Sequence, residues 1–389
     1  MTMRHTTLPR PVEKLAHSGK RRTHQNMPPR ANSNPFFSVL RAPRHQFNPD
    51  KIVELFRLVD EKRVRDLAAK LADYISVNLP AAFEKRGGLS DYRTNPYVLM
   101  TSASVMDLGA PDQFGAFLFN SKLYMALETS FGKSIEAAFV GQYPLKSEVK
   151  WIEAPEKLAE FAALDGLSRE ERAKRRIDSV WREVDRSCVV GKRRYLTSIK
   201  SGPNTINDTQ VQGMTRAIID NYVRWFEQTK ATYPNVQELD VVLGLTYGTD
   251  CTTNNKENQI LVKLLEHGFI EEDRESRPGV LIDKATRSVR VYRRIGKEFW
   301  AFIGQPDRPT SAEFVFLEVL LALSKALATG MKEADLETRI NLRLKELAAA
   351  LGKLQFPRKS LPSWIRDDFA EKELFWFATA MTAFYDEGI

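Results

Sequence analysis

Histidine and cysteine are scarce in this 389-residue chain, and their scarcity excludes much chemistry. The five histidines are His5, His17, His24, His45 and His267, so only His267 falls beyond the first 45 residues. A Ser-His-Asp hydrolase, a histidine-rich zinc enzyme or a nuclease with a histidine base would need that one residue. It stands in Leu-Leu-Glu-His-Gly-Phe, which reads as the end of an amphipathic helix capped by Gly268, where the helix dipole favours histidine. The two cysteines, Cys188 and Cys251, cannot build a disulfide framework or a four-cysteine zinc site. No apolar run approaches the length of a membrane span, and the N-terminus has no apolar signal core. The expectation is a reduced, cytoplasmic protein with no membrane partner. No Gly-x-Gly-x-x-Gly follows a strand pattern and no complete P-loop occurs, so no nucleotide cofactor is expected.

What is present is positive charge. The net charge is +8, which suits a polyanionic partner. Residues 1–49 hold nine Lys/Arg against the single acid Glu13, which leaves 49 of each sign in the rest. The excess therefore lies in the tail, and the body is near neutral. Residues 1–48, with Pro, Arg, Ser, Asn and His in no periodic order, read as a basic, disordered tail.

Helical spacing starts after Asn48-Pro49-Asp50, with Ile52, Leu55, Phe56, Leu58 and Val59, and a second helix follows over 62–85. Residues 91–106 are less regular. Residues 113–141 read as helix interrupted near Gly132, and 150–183 as charged helix with a capping box at Ser168-Arg-Glu-Glu171. The period then changes. Val189-Val190 and Tyr195-Leu196 flank Gly191-Lys192, which predicts a β-hairpin over 184–200. A helix over 208–231, a strand over 238–249, a helix over 256–267 and a hairpin over 279–295 come next, and 311–352 and 365–386 are helical. This order predicts an α/β fold: a mixed sheet flanked by helices, with helical N- and C-terminal extensions. The expected divisions are the tail at 1–48, a helical region at 49–110, a core at 111–305 and a helical region at 306–389.

The richest stretch is 195–210, Tyr-Leu-Thr-Ser-Ile-Lys-Ser-Gly-Pro-Asn-Thr-Ile-Asn-Asp-Thr-Gln. It delivers Lys200 to the end of a β-run. Asp185 opens the preceding run, so a turn at Gly191-Lys192 brings the two ends together. An aspartate beside a lysine at a hairpin mouth can hold a divalent cation and a water, or can be a surface ion pair.

Asp185 followed by Ser198-Ile-Lys-Ser-Gly-Pro-Asn204 resembles the PD-(D/E)XK nuclease superfamily. It is most similar to type II restriction endonucleases whose catalytic strand ends in (D/E)-x-K-S-G-P-N-x-x-N. Leu127-Glu-Thr-Ser-Phe-Gly-Lys-Ser-Ile-Glu136 resembles the helix upstream of their catalytic hairpin, and Arg294-Ile-Gly-Lys-Glu-Phe-Trp-Ala-Phe-Ile-Gly304 resembles a segment after it. The likeness spans roughly residues 95–304. It implies a PD-(D/E)XK-like core and a Mg2+-dependent endonuclease acting at a short site in double-stranded DNA. The ends would be 5′-phosphate and 3′-hydroxyl, and a homodimer would match a palindromic site.

One position departs from the motif. Ser198 stands where the second metal carboxylate is expected. The resemblance then implies a glutamate from another element, by preference Glu136, with Glu183 and Asp208 as poorer choices. The implied catalytic set is Asp185, Lys200, Glu136 and Ser198, with Asp185, Glu136 and the Ile199 carbonyl on the metal. Ser201, Asn204, Asn207, Gln210, Tyr247 and Asn254 are the candidate DNA contacts, since amides suit phosphate oxygens or base edges. Ser198 equally fits a degenerate, non-cutting DNA-binding protein. A repair or defence nuclease without a fixed site is the other alternative.

Overall fold

The computed structural model describes residues 49–84, 89–92, 94–138, 143–146, 148–202, 206, 208–249, 256–273, 277–333 and 335–382. The basic tail at 1–48 lies outside them, as do Asn204, Asn207 and Asn254 and the side chains of Glu128 and Glu136.

Among the described residues six α-helices precede the sheet: α1 (Pro49–Phe56), α2 (Glu61–Glu84), α3 (Pro96–Val105), α4 (Pro111–Ala138), α5 (Pro155–Ala162) and α6 (Arg169–Asp178). The hairpin follows as β1 (Arg186–Val190) and β2 (Arg193–Lys200), paired antiparallel with Val190 opposite Arg193. Gly191, first of the two turn residues, has a φ of 59°, the left-handed value that a II′ turn needs there and that a side chain disfavours. Next, α7 (Asp208–Thr232) carries the chain back, and β3 (Glu238–Leu245) lies parallel to β2. Then come α8 (Lys256–Glu266), β4 (Phe269–Asp273), β5 (Arg277–Asp283) and β6 (Val289–Ile295). The six strands take the order β1-β2-β3-β6-β5-β4, with β2, β3 and β6 mutually parallel at the centre. The described residues after the sheet form α9 (Lys297–Gly304), α10 (Val315–Glu333), α11 (Leu336–Leu351), α12 (Ser363–Asp368) and α13 (Glu371–Met381). The protein is thus mixed α/β. Among the described residues no helix is long and apolar enough to cross a membrane.

The central strands are buried on both faces, which is why Val241-Val242-Leu243-Gly244-Leu245 is a continuous apolar run. On one face Leu196, Val241, Leu243 and Val291 pack with Val211, Met214 and Ile218 of α7 and Ile260, Leu261 and Leu264 of α8. On the other, Tyr195, Ile199 and Val242 pack with α9, with Leu67, Leu71 and Ile75 of α2, and with Val315, Val319 and Ala322 of α10. The N- and C-terminal helical regions therefore share one core with the sheet. A third cluster joins α3, α4, α11 and α13.

Several local expectations are revised. Helix α4 runs unbroken through Gly132; an interior glycine costs about 1 kcal/mol relative to alanine, less than tertiary packing supplies. The charged stretch at 150–183 is two helices, and the Ser168 capping box starts the second. The irregular stretch at 91–106 contains α3, opened by Asn95, whose side chain accepts from Tyr97 N at 3.0 Å. Strand β4, Phe-Ile-Glu-Glu-Asp, was not foreseen. It is an edge strand, and its acids suit an edge that must not pair with another chain.

At the starts of β2, β3 and β6 lies a buried charged network. Tyr292 donates to Asp240 Oδ2 at 3.0 Å, and Arg193 Nη1 and Arg290 Nη1 stand 3.6 and 3.9 Å from the same carboxylate. Burial pushes the Asp240 carboxyl from 3.8 up to about 6, despite both arginines. The native state therefore holds a proton that the unfolded chain releases between those values. Asp240's contribution to stability is fullest below pH 3.8 and is lost as pH rises through about 6. Relative to wild type, Asp240→Asn is expected to gain about 2 kcal/mol of stability between pH 4 and pH 6.5. Urea unfolding at both pH values checks this, and a flat difference would contradict it.

Candidate active site

The hairpin places Asp185 level with the end of β2. Its amide donates to Thr197 O at 2.9 Å, and its Oδ2 accepts from the Ile199 amide at 2.6 Å. Burial raises the Asp185 carboxyl above the ordinary aspartate value, and Glu183 pushes the same way. Lys200, the Ile199 amide and Lys157 oppose the rise. Lys200 Nζ lies 3.8 Å from Glu183 Oε2. Lys200, Asp185 and Glu183 thus stand within electrostatic reach of one another. From α5, Lys157 Nζ donates to Val184 O at 2.8 Å and so holds the backbone next to Asp185.

Ser198 points into the face covered by α7. It is 5% exposed, and its hydroxyl has no hydrogen-bond partner among the described residues. It borders a small void with Glu183, Leu196, Met214 and Leu243. An unsatisfied buried hydroxyl costs free energy, and here it borders a void that Glu183 also lines.

The turn after Lys200 is tied to the end of β3. Thr246 N donates to Lys200 O at 3.0 Å, Thr246 Oγ1 donates to Ser201 O at 2.8 Å, and Trp300 Nε1 donates to Thr246 O at 2.8 Å. Gly202 is a close approach. A Cβ there would stand 2.1 Å from the Tyr247 ring, so glycine lets that ring lie over the turn. Ser201 and Tyr247, the latter 45% exposed, therefore share one edge with Lys200. Gln210 is exposed in the first turn of α7.

Glu136 belongs to the last turn of α4, where the neighbouring Ile135 packs into the cluster on the face opposite Ser198. Among the described residues, the carboxylate brought to Lys200 is Glu183. Its sequence signal was its place two residues before Asp185. Lys157 had none, since only the packing of α5 carries it there. Among the described residues no three His, Cys, Asp or Glu side chains group to hold a metal. Two carboxylates still fit Mg2+, which keeps several waters and needs one or two acidic ligands besides a substrate phosphate.

The fold and this geometry define a mixed α/β protein with a carboxylate–lysine cluster at the end of a hairpin. No protein-family model matches the chain, and no curated protein matches it.

Proposed function

We propose that this chain is a Mg2+-dependent endonuclease of the PD-(D/E)XK type, acting as a site-specific, homodimeric restriction enzyme on double-stranded DNA. The convergence of Asp185, Glu183 and Lys200 at the paired ends of β1 and β2 supports this reading most. Asp185, Glu183 and the Ile199 carbonyl would hold Mg2+, with Glu183 replacing the acid missing at Ser198. When bound, Mg2+ would acidify a water and offset phosphate charge. Lys200 would orient the attacking water and donate to the scissile phosphate. Hydrolysis would join a water oxygen to phosphorus and break the bond to the 3′ oxygen, which takes the proton that the water loses. The products are a 5′-phosphate and a 3′-hydroxyl.

The test is a plasmid digest with Mg2+. Discrete fragments are expected, and chelation abolishes them. Asp185→Asn and Glu183→Gln are each expected to slow cutting by about 10²-fold or more. Full activity in Asp185→Asn overturns the site. Full activity in Glu183→Gln alone returns the second carboxylate to another element. A random smear makes the enzyme a nuclease without a fixed site. The second reading, a DNA-binding protein that does not cut, is favoured by Ser198 at the acid's position. Salt-sensitive binding with no cutting identifies it.

A further inference from the structure

Helix α6, Arg-Glu-Glu-Arg-Ala-Lys-Arg-Arg-Ile-Asp, buries no residue. Helix burial usually offsets the entropy of ordering, so α6 owes its form to its Ser168 capping box and to its charges. Most of the positive charge lies on one side. At 100° per residue, Arg169, Arg172, Arg175 and Arg176 fall within an arc of about 120°, while Lys174 falls outside it with Glu170, Glu171 and Asp178. Arg169, Arg175 and Arg176 are exposed and Arg172 is half-buried. Neither Arg169 nor Arg172 forms an ion pair with a described residue.

The basic face has a defined direction. The Arg176 guanidinium lies 5.2 Å from the centre of the Phe161 ring, and Lys157 Nζ lies 5.8 Å from that same centre. Lys157 in turn donates to Val184 O, beside Asp185. One aromatic ring therefore separates the last turn of α6 from the cation that borders the candidate site.

We infer that the basic face of α6 is a docking surface for the phosphate backbone of double-stranded DNA, feeding the duplex toward Asp185 and Lys200. This rests on the nuclease reading for its direction. A ten-residue helix is about 15 Å long, and a duplex carries one charge per about 1.7 Å of axis, so α6 can meet several phosphates. The contact is sequence-independent, because arginines on phosphates carry no base information.

The test is binding of a short mixed-sequence duplex, without divalent cations, over a range of NaCl concentrations. Arg169→Gln, Arg172→Gln and Arg175→Gln are combined, leaving Arg176 on Phe161 so that the fold keeps its contact. A control combines Lys325→Gln, Lys345→Gln and Lys353→Gln, which removes equal charge from exposed sites in and just beyond α10 and α11. The α6 variant is expected to lose about tenfold or more in affinity and to flatten the log–log salt slope by about 2 to 3. The control slope changes by less than about 1. An unchanged slope in the α6 variant, or an equal loss in the control, overturns the proposal. So does wild-type binding to phosphatidylserine vesicles with none to the duplex. Failure of the nuclease reading is separate: a wild type that never cuts, with an α6-dependent slope, removes catalysis and leaves the surface.

Discussion

Lys200→Ala is expected to lower plasmid cleavage by about 10²- to 10⁴-fold, the range for removing a group that positions or moves a proton in a transition state. Two effects combine. The cation that orients water and meets the phosphate is gone. Asp185 also loses the largest influence opposing the burial that raises its carboxyl. Its acid form then persists to higher pH, so any residual activity should have its acid limb displaced upward. Single-turnover nicking rates from pH 5 to 9 measure both. Lys200→Met, which keeps the apolar stem, should lose activity to a similar degree. Loss in Lys200→Ala with retention in Lys200→Met would assign the side chain a packing role and remove it from the chemistry. Duplex binding without Mg2+ should stay within a few-fold of wild type, since one phosphate contact changes the salt slope by only about 0.9.

Glu318→Ala is expected to cost about 3 to 5 kcal/mol of stability. Glu318 is 0% exposed and accepts four hydrogen bonds. Two come from Arg63, at 3.0 and 2.8 Å; Tyr143 and the Asp60 amide give 2.6 and 2.8 Å. These contacts fasten α2 to α10 over the same sheet face that carries Ile199. Truncation leaves a guanidinium, a buried phenol and an amide without their acceptor, and each desolvated donor then costs energy. Glu318→Gln, which keeps the shape and part of the bonding, should fall between wild type and alanine. Urea unfolding at neutral pH decides it: a loss below about 1 kcal/mol would mean that solvent reaches Arg63 and replaces the bonds.

Both residues show where local reading stops. The end of β2 was legible: Tyr195–Lys200 is β-forming, Gly191-Lys192 is a tight turn, and the hairpin must then bring Asp185 to Lys200. Helix α7 was legible because Val211, Met214, Ile218, Trp225 and Phe226 recur at helical spacing and are the apolar residues it buries, with Thr215 and Thr229 beside them. Strand β4 was not, because Phe-Ile-Glu-Glu-Asp neither alternates nor runs apolar, and its pairing with β5 carries it. Glu318 sits within the apolar run Val315–Leu323, and its partner Arg63 is 255 residues away. No pattern along the chain joins them.

The second carboxylate separates the two levels most clearly. By itself the sequence determined that Asp185 and Lys200 meet, since two-residue turns and period-two strands set the register of neighbouring segments. The resemblance carried by Ser198–Asn204 implies a carboxylate at the position of Ser198, which serine does not supply. Tertiary structure alone decided what stands beside that place. The last turn of α4 packs toward one face of the sheet and Ser198 looks into the other, while the loop before β1 brings Glu183 to Lys200. Period and turn chemistry act over a few residues. The face of a sheet on which a helix ends depends on which apolar surfaces bury one another, and that is a property of the whole fold.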